Sequence, residues 1–220
     1  MLKNVYSFVV NFYGTNTYLY KDPQSNDVLL IDPGGEIEEI CNVIKKNNFS
    51  VCKILITHSH FDHIMSLEKI CDIYPVPVVV HKDEIDSVVD NSKNLSSLFG
   101  ECAIKNKNKI KWCLVSDGEK LFCGNQEIEI IHTPGHTKGG ICVFVSQKDD
   151  RKILFSGDTL FCGSIGRTDL PGGNYNVLLN SLKKIISIPM ETLIFPGHGN
   201  SCVLRDEVIH NEYLKQVKSE

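Results

Sequence analysis

The 220-residue chain lacks several things, and each lack removes a class of protein. No apolar run approaches the ~18 residues that a membrane helix needs, so a spanning segment is not expected. There is no basic excess: 23 Lys+Arg stand against 27 Asp+Glu, a formal charge of -4, which argues against a nucleic-acid partner. There is no C-x-x-C pair among the nine cysteines, and nine is an odd number for a disulfide framework. The opening run Met1 to Val10 is broken by Asn4 and Ser7, so it makes a poor secretion signal and reads better as a first strand. Reduced thiols and a cytoplasmic location are therefore expected. No low-complexity stretch or composition break divides the chain, which reads as one domain over residues 1–220.

What is present is an ordinary globular composition, 42% hydrophobic and 23% charged, enough to fill a core at this length. Strands are expected over 5–12, 15–21 and 26–32, with turn residues between them. Ile37, Ile40, Cys41 and Ile44 predict a helix over 36–47. A strand over 52–57, a helix over 63–72, a strand over 76–80 and a helix over 82–90 follow. Residues 91–111 read as a solvated connection around the polar Lys105 to Lys109. Strands near 112–115, 119–123, 126–132, 140–146 and 152–157 come next, then a helix over 175–187, a strand over 192–195 and a closing helix over 203–216. This alternation predicts an α/β fold. Two hairpins echo each other. Asn16–Tyr20 with Val28–Asp32 resembles Gly140–Phe144 with Ile153–Asp158, each ending in an aspartate at a strand's C-terminal edge. If the halves are duplicated, Asp32 and Asp158 lie near one shared edge.

The chemistry is concentrated in Thr57-His58-Ser59-His60-Phe61-Asp62-His63, directly after an apolar strand. His58 and His60 point to one face of an extended chain. Asp62 and His63 sit where the chain turns into a helix. Such convergent donors at a strand end suit a cation. A chance H-x-H-x-D-H window is roughly a one-in-1500 event for this composition. Three more donors stand beside glycine just after a strand: His136 in Thr133-Pro-Gly-His136, Asp158 in Ser156-Gly-Asp158, and His198 in Pro196-Gly-His198. Strand ends are where α/β folds build sites. Of the remaining candidates, His132 reads as a hydrogen-bonded structural residue, His81 and His210 as surface residues, Cys142 as core and Cys162 as a buried inert thiol. Ser181 and Lys184 match an acylation motif only by chance.

This ordered set of motifs resembles the metallo-β-lactamase superfamily over nearly the whole chain. The segment Leu160 to Gly173 is similar to short glyoxalase-II-like hydrolases. Only 22 residues follow His198, so the helical C-terminal domain of full glyoxalase II is expected to be absent. The resemblance implies an αββα sandwich of two facing mixed sheets flanked by helices. It implies a dinuclear site, with one divalent ion held by His58, His60 and His136 and the other by Asp62, His63 and His198. Asp158 bridges them, and Asp32 orients a ligand histidine from behind. Asp62 and Asp158 are the catalytic carboxylates on this reading. The donors are all N or O, so zinc fits best, with iron or manganese as alternatives. Two divalent ions, two aspartates and one bridging hydroxide leave a net charge near +1, a Lewis-acid centre that activates water for attack.

The resemblance implies hydrolysis of a small acyl-thioester of the S-lactoylglutathione type. A mononuclear iron persulfide dioxygenase, an oxidoreductase, is the alternative. Arg167 falls where glyoxalase II has a glutathione-contacting lysine and is a candidate for binding a substrate carboxylate. An ion pair with Asp169 is its competing role. A cysteine replaces Asp158 in the best-known lactamase subclass, which counts against a β-lactam substrate. The acyl group, the thiol and the oligomeric state are open at this level.

Overall fold

The computed structural model describes residues 4–99, 104–147 and 150–219. In chain order the strands and helices are β1 (Val5–Val10), β2 (Thr15–Lys21), β3 (Asp27–Ile31), α1 (Glu38–Lys46), β4 (Ser50–Leu55), α2 (Phe61–Ile64), α3 (Leu67–Ile73), β5 (Val78–His81), α4 (Ile85–Val88), β6 (Trp112–Val115), β7 (Lys120–Cys123), β8 (Gln126–His132), β9 (Ile141–Ser146), β10 (Lys152–Gly157), β11 (Leu160–Phe161), β12 (Ser164–Ile165), α5 (Tyr175–Ile185), β13 (Leu193–Pro196), β14 (Cys202–Val203), α6 (Leu204–His210) and α7 (Glu212–Ser219). They form two six-stranded mixed sheets, ordered β1-β2-β3-β4-β5-β6 and β14-β13-β10-β9-β8-β7, with helices on the outer faces, and β11 and β12 pair as a separate two-stranded hairpin.

Strands buried on both faces must carry apolar side chains at successive positions, and alternate residues then enter different cores. Val28 and Leu30 pack with α1 and α3, whereas Leu29 and Ile31 enter the layer between the sheets. Ile54 and Ile56 likewise face the helices, and Leu55 faces the second sheet. In β10, Ile153 and Phe155 point inward while Leu154 meets Leu179 and Leu182 of α5. Cys142 lies in this same outer layer.

The two sheets repeat one topology. β1, β2 and β3 run antiparallel in turn and β3 pairs parallel with β4. β8, β9 and β10 do the same, and β10 pairs parallel with β13. This is the duplication that the hairpin echo suggested. Parallel pairing sends consecutive strand ends to one edge, so the segments after β3, β4, β5, β10 and β13 meet along one seam.

Several expectations need correction. The expected helix over 63–72 is split into α2 and α3, and the one over 203–216 is interrupted at Asn211, whose backbone is extended. The Asn211 amide is drawn instead to the Ser164 carbonyl and the Glu207 carboxylate. Residues 91–99 are not simply a solvated link. Asn94 is buried and its carbonyl accepts from the Phe61 amide at 2.8 Å. Residues 105–109 are exposed as expected, and 100–103 lie outside the described residues. Cys162 is exposed rather than buried, because it occupies the tip of the short β11–β12 hairpin. His210 is on the surface.

His81 is the largest miss: it is 2% exposed, with its ring stacked on His132 at 3.8 Å between centroids. Nothing local to His81 signals this partner, which comes from the other sheet. Burial lowers the His81 pKa to about 4, reinforced by His132 and Lys82 and opposed by Asp83 and Asp117. A buried neutral histidine binds its proton later than the unfolded chain does, so stability falls as pH drops from about 6.5 towards 4. Relative to His81→Gln, the wild type loses about 1–3 kcal/mol over that window. Urea titrations at pH 4.5 and 7 check this, and equal pH slopes for the two proteins refute it.

Candidate metal centre

The seam between the sheets gathers the expected donors. β4 ends into Thr57, and the extended turn that follows carries His58 and His60 before α2 presents Asp62 and His63. Thr133 to Gly140, linking β8 to β9, brings His136. The residue after β10 is Asp158, and the turn after β13 carries His198.

Two groups of three converge: His58, His60 and His136 in one, Asp62, His63 and His198 in the other, each with its donor atoms within 4.8 Å of one another. His136 Nε2 stands 3.0 Å from His60 Nδ1, and His63 Nε2 stands 3.3 Å from His198 Nε2. Asp158 lies between the groups. Its Oδ2 is 3.5 Å from His136 Nε2 and 3.9 Å from His58 Nε2, and its Oδ1 is 3.4 Å from His63 Nε2. These separations are those of donors arranged around shared cations. His58 Nε2 and Asp158 Oδ1 are buried without a hydrogen-bond partner. Native proteins seldom leave such atoms orphaned, so the donor set fits two divalent ions with N and O ligands.

Hydrogen bonds set which nitrogen carries the proton in three of the five rings. His63 Nδ1 donates to Asp32 Oδ2 at 2.9 Å, leaving Nε2 free to face the centre. His136 Nδ1 donates to the Arg167 carbonyl at 2.7 Å with the same result. His58 Nδ1 lies 3.1 Å from Thr57 Oγ1, and that hydroxyl donates to Asp32 Oδ2 at 2.6 Å. Asp32 therefore orients one ring of each group, directly and through Thr57. Its Oδ1 also accepts from the Thr57 amide at 2.7 Å. Such outer partners tune both ligand orientation and basicity.

The electrostatics divide the site. Burial drives His58 well below its ordinary value and takes His60 to about 3, with the neighbouring imidazoles pushing the same way. Burial would raise Asp62 and Asp158. His63 and its neighbours outweigh it, holding Asp62 well below the carboxylate range and Asp158 at about 2. Burial lowers His63, but the carboxylates of Asp62, Asp158 and Asp32 overturn that and lift it well above its ordinary value. His198 is raised by Asp62 and Asp158 against its own burial. His58 and His60 are thus held neutral, whereas the half that carries Asp62 draws positive charge.

Close packing makes the glycine of the last turn necessary. A Cβ on Gly197 would collide with Asp158 Oδ1 and with the His63 ring. Asn16 ties this turn to the first sheet through bonds to the Pro196 and Gly199 carbonyls, both 2.9 Å. Thr15 Oγ1 donates to Asp62 Oδ2 at 2.8 Å.

Arg167 reaches the centre through its backbone carbonyl. Its guanidinium is exposed and holds Asp169 through two bonds of 2.7 Å. Ser181 is buried and donates to the Pro134 carbonyl at 2.6 Å, beneath the His136 turn. His132 Nε2 lies 3.0 Å from the Lys138 carbonyl.

Sequence reasoning missed Glu84. It is fully buried, and its carboxylate accepts from Ser59 N at 2.8 Å, Ser59 Oγ at 2.6 Å and Gly139 N at 2.7 Å. It thus locks the segment carrying His58 and His60 to the one carrying His136. The available signal was the polar run His81 to Glu84 after an all-apolar strand, the pattern that flagged residues 57–63.

The site is that of a metal-binding αββα protein, and the comparisons agree. The chain matches the metallo-beta-lactamase superfamily over residues 10–198 and belongs to it. A probable metallo-hydrolase, YqgX of Bacillus subtilis, is 36% identical over 90% of each chain. Hydroxyacylglutathione hydrolase GloC of Haemophilus influenzae is 30% identical over 96% of this chain and 98% of its own. The solved structure of BLEG-1, described as a B3 metallo-beta-lactamase, superposes with a TM-score of 0.85 at 33% identity, over 96% of this chain and 99% of that one.

Two substitutions test the geometry. Asp158→Ala removes the group that lies between the two triads and is expected to lower metal content from about two ions per chain to one or fewer, measured by elemental analysis. Glu84→Ala leaves three donors without an acceptor and destabilises the fold by about 3 kcal/mol or more. Wild-type metal content in the first variant, or an unchanged urea midpoint in the second, contradicts these assignments.

Proposed function

We propose that the chain is a metal-dependent hydrolase of small acyl-thioesters, of the hydroxyacylglutathione type. The observation that carries this reading is the convergence of five histidines and Asp62 into two triads around Asp158. Divalent ions in such a site supply electrophilic activation of a carbonyl and acidify water at neutral pH. Zinc suits the donors best, with iron or manganese as alternatives.

The protein's own groups do the rest. Asp32, Thr57 and the Arg167 carbonyl hold protons at the outer nitrogens of His63, His58 and His136, so their inner lone pairs are aimed before substrate arrives. Thr15 fixes the Asp62 carboxylate in the same way. Phe61, the residue before Asp62, anchors an aromatic cluster: Tyr13 packs edge-on against it at 5.0 Å, and Phe99 stacks on it at 4.3 Å. The exposed Tyr13 and Phe99 rings would offer an apolar surface to an acyl group. A thiol leaving group with a pKa near 8.5 departs without a strong general acid. Arg167 would engage a substrate carboxylate by exchanging its exposed Asp169 partner.

The likeness to GloC supports the thioester reading. The likeness to BLEG-1 favours a second substrate class, β-lactams, despite Asp158 standing where one lactamase subclass has cysteine. Two of the histidines with Asp158 would also suit a single iron in the persulfide dioxygenase alternative.

The deciding experiment pairs metal analysis with three assays: thiol release from S-lactoylglutathione, opening of a chromogenic cephalosporin, and oxygen uptake with glutathione persulfide. Two ions per chain with dominant thiol release is expected. Dominant cephalosporin opening, or oxygen uptake with one iron per chain, replaces the thioester assignment. Arg167→Ala is expected to raise KM for the glutathione thioester severalfold and leave metal content intact. An unchanged KM removes Arg167 from the substrate site.

A further inference from the structure

Away from the seam, the β11–β12 hairpin tip, β14 and α6 bring together Cys162, Cys202 and Glu207. Their two sulfurs and one carboxylate oxygen all lie within 4.8 Å of one another. Glu207 is only 5% exposed. Its Oε2 accepts from the Gly163 amide at 2.7 Å and from the Asn211 side chain at 3.0 Å. Both of these partners are neutral amides, and the two sulfurs stand beside the same carboxylate. Burying a carboxylate this way is costly without a counter-charge.

We propose that Cys162, Cys202 and Glu207 form a third cation site, for a thiophilic divalent ion of the zinc class, with water in the fourth position beside exposed Cys162. The proposal is independent of the substrate assignment above. A tetrahedral ion with zinc–sulfur bonds of about 2.3 Å and a zinc–oxygen bond of about 2.0–2.2 Å sets its ligand atoms about 3.4–3.8 Å apart. Binding exchanges two thiol protons for the ion: both are released to solvent, and two thiolates and one carboxylate donate the lone pairs.

The setting disfavours free-thiol chemistry. Reactive thiols are those whose surroundings favour the thiolate. Here burial, and after it the Glu207 carboxylate, raise both Cys162 and Cys202. A divalent ion reverses that local field. The consequence for the fold is a clamp. The hairpin lies between Asp158 and Arg167, whose carbonyl orients His136, and Phe161 of the same hairpin approaches the His198 ring at 6.1 Å. The ion would tie this stretch to β14 and α6.

Cobalt(II) reports the site directly. The proposed ligands of the seam are only nitrogen and oxygen, so a thiolate-to-cobalt charge-transfer band can arise only elsewhere. Protein purified under reducing conditions, stripped of metal and titrated with cobalt is expected to show that band and one cobalt beyond those at the seam. Cys162→Ser and Cys202→Ser each remove the band and the additional ion, and Cys52→Ser keeps both. Asp158→Ala keeps the band while losing metal at the seam, which separates failure of this site from failure of the catalytic reading. Circular dichroism of each serine variant verifies folding, and Cys162→Ala serves as a second variant at the exposed position. Absence of the band in folded wild type, its persistence in both serine variants, or recovery of a linked Cys162–Cys202 peptide from the reduced preparation overturns the proposal.

Discussion

Three carboxylates and five imidazoles are buried or nearly buried where two sheets meet, and the fold tolerates them because each carboxylate is paired with an imidazole or a hydroxyl. Asp32 is the pivot. Its carboxylate is shared between Thr57 and His63, and through Thr57 it reaches His58. An unpaired carboxylate at that depth would cost several kcal/mol. Paired as it is, it aligns one ring in each triad before any ion arrives. Pre-set donors of this kind lower the reorganisation needed for binding and for chemistry.

That arrangement follows from topology more than from any single motif. Parallel pairing of β3 with β4 and of β10 with β13 brings four strand ends to the same seam. The repeated order in the two sheets makes Asp32 and Asp158 equivalent in position, and the His63 ring lies between them, 2.9 Å from one and 3.4 Å from the other. Two further ties hold the seam closed. Glu84 joins the His58 segment to the His136 turn, and Asn16 joins the first sheet to the His198 turn. Neither residue need touch an ion to matter for one.

Much of this was legible in order along the chain. Unbroken apolar runs such as Val28 to Ile31 and Ile54 to Ile56 announced strands covered on both faces, and their alternate residues do enter separate cores. Helix ends were less legible. Asn211 interrupts the closing helix because its side chain is claimed by Ser164 and Glu207, partners that no helical period reveals. His81 and Cys162 were misjudged in opposite directions for the same reason. Exposure depends on what another segment places alongside: His132 covers His81, and among the described residues the hairpin tip leaves Cys162 exposed.

By itself the sequence determined the donor types, their order and their positions at strand ends, because hydrophobic alternation and glycine turns are local properties. Only the tertiary structure decided which donors converge, which nitrogen of His58, His63 and His136 faces the centre, and that Arg167 serves it through its carbonyl. It also decided that Glu84 is part of the framework. The physical reason is distance along the chain: the partners of Glu84 lie 25 and 55 residues away, and those of His63 lie 31 and 135 away. Hydrogen bonds over such separations exist only once both sheets have paired.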